Sequence, residues 1–246
     1  MLFNTESLEA VYSHGIYERA YPASLTKIMT AILALKYGNP DDVVVMESSD
    51  FDLEEGSQNS DMTAGDSVTM KQLTEVLLVH SANDAANAIA RHISGSQESF
   101  VQLMNEEARS YGMTNTNFVN PHGLHDDAHY TCAYDVYLML NKALEYKEFN
   151  EIIRMSSYTL NVTRDGNVIS YNYSSTNKFL NGEANAPEGV KVWGGKTGTT
   201  PEAGACLAIS VQSEEGVPYI AVIMNSPKKT VLYDDMRSLL SLTGQS

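Results

Sequence analysis

The chain has 246 residues and a mass of 27.0 kDa, enough to bury a sizeable core, with 43% hydrophobic and 9% aromatic residues. Its 31 acidic residues against 16 basic ones give a net charge of −15, which argues against nucleic-acid binding and against electrostatic docking on anionic membrane. No apolar run reaches transmembrane length, Met1-Leu2-Phe3-Asn4-Thr5-Glu6 has neither the basic nor the apolar region of a leader, and Cys132 and Cys206 read as small buried hydrophobes.

Residues 1–12 alternate as an edge hairpin with Leu8, Ala10 and Tyr12 on one face. Pro22 disfavours helix at Tyr21, and Ile28, Met29, Ile32, Leu33 and Leu35 then predict a buried helix from about Ser24 to Tyr37, with Gly38 as a left-handed cap. Residues 39–68 read as an acidic loop around Val43-Val44-Val45. Thr69-Met70-Lys71-Gln72 has capping-box form and opens a helix to about His80. Further helices are expected at about 83–92, at 96–111 with Gly112 as the stop, and at 133–146. The stretch 113–131 between the last two reads as a long ordered loop. After residue 155 the pattern turns to strands: 157–163 and 168–173 around Arg164-Asp165-Gly166-Asn167, then 190–193, 205–211 and 218–224. A helix at about 231–242 closes the chain. This order predicts an α/β (α+β) fold in one domain, 1–246. An antiparallel sheet built from 1–37 and 155–246 is flanked by helices, and a mainly helical subdomain, 38–154, is inserted.

Three short motifs carry the chemistry. Ser24-Leu25-Thr26-Lys27 places a hydroxyl and an amine one helical turn apart on one face. A serine is a poor nucleophile until a base takes its proton, and a lysine held neutral can be that base. Ser81-Ala82-Asn83 lies between two helices, where side chains can point into a cleft. Lys196-Thr197-Gly198-Thr199 follows Trp193-Gly194-Gly195 at a strand edge, where glycines let another backbone approach closely. Each motif alone is weak: S-x-x-K recurs at Ser175/Lys178 and Ser226/Lys229, and S-x-N at Ser57/Asn59 and Ser175/Asn177. The three together, in this order, are the signature of penicillin-recognising serine enzymes.

Beyond the motifs, residues 19–30, 77–90, Asn120-Pro121-His122-Gly123-Leu124-His125, His129-Tyr130-Thr131 with Tyr134-Asp135, and 195–204 carry a wider likeness. Over essentially its whole length the chain resembles the catalytic domain of low-molecular-mass penicillin-binding proteins, the serine-type D-alanyl-D-alanine carboxypeptidases. The resemblance implies a β-lactamase/transpeptidase-like fold and an acyl-enzyme mechanism without cofactor or metal. It implies Ser24 as nucleophile, Lys27 as its base, and Ser81 and Lys196 as proton relay to the leaving D-alanine. Asn83 would hold the substrate amide and steady Lys27, the N–H groups of Ser24 and Thr199 the oxyanion, and the Thr197 and Thr199 hydroxyls the terminal carboxylate, with Gly198 between them in the substrate-binding segment. His122 is expected near Ser81. The implied partners are peptidoglycan stem peptides ending D-Ala-D-Ala, and β-lactams that mimic them. The implied setting is the bacterial cell envelope outside the cytoplasm. Many members also carry a leader, a small β-rich domain and a membrane-anchoring amphipathic helix, and none of these is expected within residues 1–246.

The family often uses arginines near the carboxylate. Here the corresponding stretches read Ser226-Pro227-Lys228-Lys229-Thr230 and Ser175-Thr176-Asn177, so Lys228 or Lys229 replaces them or both are solvated surface lysines. A serine β-lactamase is the nearest alternative. It needs a glutamate with an asparagine four residues on, placed after Asn83; the pair Glu55/Asn59 comes before it. A non-enzymatic β-lactam sensor would keep Ser24 and Lys27 without peptidase turnover. A metallopeptidase would draw on His122, His125, Asp126, Asp127 and His129, whose spacing is not H-E-x-x-H. The G-x-S-x-G pattern of another hydrolase class is absent.

Overall fold

The computed structural model describes residues 1–244. In chain order the elements are β1 (Leu2–Asn4), β2 (Glu9–Tyr12), a 3-10 turn (Ala23–Thr26), α1 (Lys27–Tyr37), β3 (Val43–Val45), a second 3-10 turn (Ser48–Phe51), β4 (Ser67–Thr69), α2 (Met70–Val79), α3 (Asn83–Ser94) and α4 (Gln97–Ser110). There follow α5 (Ala133–Ala143), α6 (Lys147–Ile152), β5 (Ser157–Arg164), β6 (Asn167–Ser174), α7 (Lys178–Asn181), β7 (Lys191–Thr200), β8 (Gly204–Gln212), β9 (Pro218–Ser226) and α8 (Lys229–Leu240).

The two ends of the chain build the main sheet, in the order β2-β1-β9-β8-β7 and antiparallel throughout. Period-two alternation divides its central strands between two layers. Leu207, Ile209 and Val211 of β8, with Tyr219 and Ala221 of β9, meet Leu232, Met236 and Leu240 of α8. Cys206, Ala208, Ile220 and Val222 face the other way, into the larger core around α1. Every residue of α1 from Lys27 to Ala34 is buried. A helix apolar on all sides belongs inside a protein, and this one packs against α2, α3, α5 and α6.

The hairpin predicted at 157–173 forms, in register from Ser157↔Ser174 to Arg164↔Asn167, with Asp165 and Gly166 both at positive φ. It does not join the main sheet, as placing 155–246 there had required. It pairs with β4 through Ser67↔Thr163 and completes a second sheet, β3-β4-β5-β6. The reason is its one-sided pattern. Leu160 and Val162 are buried against α2, whereas Ser157, Thr159, Asn161 and Thr163 are exposed. Strands inside the main sheet need two apolar faces.

Two local expectations also change. Gly38 is extended, at φ −85°, and is there for space, because a Cβ would lie 2.6 Å from the Ala34 carbonyl oxygen. The strand expected at 190–193 continues to Thr200, so Lys196, Thr197, Gly198 and Thr199 lie within β7. The Thr69/Gln72 capping box is present. The loop 113–131 is fastened by backbone pairs. Ala20 and Thr131 exchange bonds of 2.8 and 2.9 Å, and Asn117 and Tyr130 exchange bonds of 2.9 and 3.0 Å. This draws the loop against the segment that leads to Ser24. No helix among the described residues is long and apolar enough to cross a membrane.

Candidate active site

Ser24 stands in the 3-10 turn through which the chain enters α1. The turn is strained: Ala23 sits at φ +46°, a conformation rare for a residue with a Cβ. Its neighbours hold it there. Thr26 Oγ1 donates to the Ala23 carbonyl at 2.8 Å. His129 Nδ1 accepts from the Val119 N–H at 3.1 Å, so the ring proton is on Nε2, which reaches Thr26 Oγ1 at 2.8 Å. Thr30 Oγ1 donates to the Pro121 carbonyl at 2.5 Å. Gly123, at φ +91°, closes over the turn, where a Cβ would lie 1.9 Å from the Ala23 oxygen. The histidine-rich loop is thus a clamp on the nucleophile turn. Both ring nitrogens of His129 are engaged by the protein itself.

Lys27 is wholly buried at the start of α1. Its Nζ donates to Asn83 Oδ1 at 2.6 Å and to the His122 carbonyl at 2.7 Å, and lies 3.0 Å from Ser24 Oγ. The first two partners can only accept, so they take two N–H bonds. The remaining position of the nitrogen faces Ser24, and in the neutral amine that position is the lone pair. Burial, helped by the nearby Lys196 charge and opposed in part by Asp84, holds the Lys27 amine well below the ordinary lysine value. His122 therefore reaches the site through its backbone. Its ring Nδ1 accepts from the Leu124 N–H at 3.1 Å, and burial pushes its pKa down to about 3.

Ser81 lies in the connection between α2 and α3, and Asn83 opens α3. Ser81 sits at φ +69°, and the Asn83 N–H donates to the Gln58 carbonyl at 2.8 Å. Opposite them, Lys196 extends from β7, wholly buried, and donates to Ser81 Oγ at 2.9 Å and to the Thr197 carbonyl at 2.9 Å. Burial lowers its pKa to about 7. The site thus holds two amine–hydroxyl pairs, one on each side of a cleft.

Strand β7 is the free edge of the main sheet, and Gly198 brings it against the nucleophile turn. A Cβ at Gly198 would lie 2.9 Å from both the Pro22 oxygen and the Ser24 nitrogen. Gly198→Ala is therefore expected to push β7 off the turn. It should slow acylation of Ser24 by about 10²-fold, the penalty of a misplacement near 1 Å, while circular dichroism shows the fold retained. An unchanged acylation rate would show that the close approach is not needed.

Ser24, Ser81, Thr197, Gly198 and Thr199 line a cavity of about 660 Å³. The two other S-x-x-K lysines end on its rim. Lys178 is paired with Glu183 at 3.0 Å, and Lys229 stands close enough to help lower the Glu183 pKa. Thr176, which accepts from Thr197 Oγ1 at 2.7 Å, and His80, stacked on Tyr173 at 4.1 Å between centroids, also line it. Sequence reasoning placed the Ser175-Thr176-Asn177 stretch near the carboxylate but missed His80, Tyr173 and Gln58. Their approach depends on the second sheet closing on the first, and no local pattern marks it.

Comparison with known proteins bears on the family and the fold. A family model described as D-alanyl-D-alanine carboxypeptidase matches residues 1–228. The chain is 32% identical over 234 residues to the D-alanyl-D-alanine carboxypeptidase DacF of Bacillus subtilis, covering 93% of this chain and 58% of that protein. It is 33% identical to the D-alanyl-D-alanine carboxypeptidase DacA of Haemophilus influenzae, covering 85% and 52%. It thus spans about half the length of these curated relatives. Among solved structures, the Streptomyces K15 DD-transpeptidase matches with a TM-score of 0.90 at 25% identity, covering 98% of this chain and 94% of that one. Penicillin binding protein 5 from Haemophilus influenzae matches at 0.85 and 29%, covering 98% and 68%. The fold is transpeptidase-like, and the chain belongs to the D-alanyl-D-alanine carboxypeptidase family.

Proposed function

We propose that residues 1–246 form the catalytic domain of a serine D-alanyl-D-alanine carboxypeptidase, which removes the terminal D-alanine from peptidoglycan stem peptides. The observation that carries this reading is the Ser24–Lys27 pair at 3.0 Å in one cleft with the Ser81–Lys196 pair at 2.9 Å. Neutral Lys27 takes the Ser24 proton as Oγ attacks the carbonyl between the two D-alanines. The N–H groups of Ser24 and Thr199 receive the oxyanion. The C–N bond breaks, and Lys196 with Ser81 delivers a proton to the departing amine. Asn83 steadies Lys27 and the substrate amide, while the Thr197 and Thr199 hydroxyls hold the terminal carboxylate where Gly198 leaves room. Water then attacks the ester carbonyl and frees Ser24. A β-lactam follows the same first step, but its opened ring stays tethered. This substrate places the reaction in the cell envelope, outside the cytoplasm.

One feature separates this reading from a β-lactamase. Among the described residues lining the cavity the only carboxylate is Glu183, and it is tied to Lys178. With no free carboxylate to activate a deacylating water, the penicilloyl ester is expected to be long-lived. The test is intact mass against time after adding benzylpenicillin, alongside D-alanine release from a peptide ending Lys-D-Ala-D-Ala. A lasting adduct and free D-alanine support the proposal. Drug consumed without an adduct would reassign the site to β-lactam hydrolysis, and an adduct without D-alanine release would leave a sensor.

Of the two candidate carboxylate lysines, Lys229 lines the cavity and Lys228 does not. Lys229→Ala is expected to raise the KM for the peptide about five-fold, the scale of one solvated charge pair, with kcat little changed and the effect fading in high salt. Lys228→Ala should do nothing. Equal effects from the two would remove Lys229 from the substrate site.

A further inference from the structure

The outward face of the second sheet carries no charge. Its exposed side chains on β5 are Ser157, Thr159, Asn161 and Thr163, and opposite them on β6 stand Ser174, Asn172, Ser170 and Val168. The strip runs about 20 Å along the strands, in a chain of net charge −15. Its polar groups are also preset. Thr159 Oγ1 donates to Asn172 Oδ1 at 2.7 Å, and Ser170 Oγ donates to Asn161 Oδ1 at 2.6 Å. Each bond occupies the amide oxygen and leaves the amide NH2 to solvent. Asn161 and Asn172 are diagonal neighbours, about 7 Å apart. The result is two fixed amide NH2 groups among hydroxyls, with no ion to desolvate.

This strip is continuous with the cleft. Strand β6 is the free edge of the second sheet, and Asn172, Tyr173 and Ser174 line the cavity that holds Ser24. We propose that the strip binds the sugar backbone of the cell-wall polymer, an N-acetylated amino-sugar chain, while the attached peptide enters the cleft. The identity of the polymer rests on the carboxypeptidase reading. Acetamido carbonyls accept from the two amides, and sugar hydroxyls exchange bonds with the serines and threonines. The polymer carries carboxylates of its own on its peptides, which an acidic surface repels, so it approaches most closely along the uncharged strip.

The test separates glycan binding from catalysis. Calorimetric titration of Ser24→Ala protein with peptide-free N-acetylated glycan strands should show binding. Adding Asn161→Asp with Ser170→Glu should weaken it about tenfold, and the milder Thr159→Ala with Asn161→Ala should weaken it less. With Ser24 intact, the acidic pair should lower kcat/KM about tenfold on polymeric peptidoglycan and leave a soluble pentapeptide and the rate of acylation by benzylpenicillin unchanged. Absence of glycan binding, binding that survives both pairs, or an equal loss on the soluble peptide would overturn the proposal. A change in self-association alone would mark the β6 edge as a contact between copies and overturn it too. Failure of the unaltered protein to release D-alanine would overturn the carboxypeptidase reading instead, and the titration would still decide whether the strip binds glycan.

Discussion

Ser24→Ala is expected to abolish the covalent adduct with benzylpenicillin and to lower D-alanine release by at least about 10⁴-fold, the order found when a nucleophile is deleted from an acyl-transfer site. The size follows from the geometry. The cleft keeps its oxyanion donors, its threonines and both amines, so binding survives while the covalent route is lost. Among the described residues Ser81 is the other cleft serine held by an amine, and it is not expected to take over. It faces Lys196 rather than Lys27, and its backbone is fixed at φ +69° between two helices. Peptide mapping of the treated variant checks this. A penicilloyl group on Ser81 would show that the two amine–hydroxyl pairs exchange roles, and the assignment of Ser24 would fall.

Lys27→Met is expected to lower the acylation rate by about 10²- to 10⁴-fold, the usual contribution of a general base. The pH profile gives the sharper test. Burial and Lys196 depress the Lys27 pKa, so the acid limb of the acylation rate should lie well below pH 10, and the methionine variant should lose that limb. A limb near the ordinary lysine value would exclude Lys27 as the base. Stability carries the same signature. The unfolded chain binds protons on Lys27 and Lys196 up to about pH 10.5, whereas the folded protein has released the Lys196 proton above about pH 7. The unfolded state thus binds more protons between these values, so unfolding free energy rises with pH across that window. Lys27→Met should flatten that rise without removing it, since Lys196 remains. Denaturant titrations at pH 7 and pH 10 measure it. An unchanged slope would mean that Lys27 titrates alike in the folded and unfolded states.

Much of this was legible in the linear chain because local physics dictates it. The apolar run after Lys27 could only be a buried helix, and a lysine at the head of such a helix is anomalous enough to mark a site. The Thr69/Gln72 capping box, the Asp165-Gly166 turn and the order of the three motifs are likewise local statements, and each is present. What only the tertiary structure decided concerns partners distant in sequence. The one-sided 157–174 hairpin is unfit for the middle of the main sheet, but its pattern alone suits the edge of either sheet. Its pairing with β4 was settled by where Leu160 and Val162 find cover. Lys228 and Lys229 are equivalent as letters, and the packing of α8 on β8 and β9 puts only the second on the cleft. The resemblance puts His122 near Ser81, yet its backbone carbonyl is what meets Lys27, because Gly123 folds the loop onto Ala23. Residue types and their spacing thus determined the chemistry this chain can hold. The packing of strand against turn and loop against helix determined which groups meet, because contact energies depend on distances that neighbouring residues alone do not set.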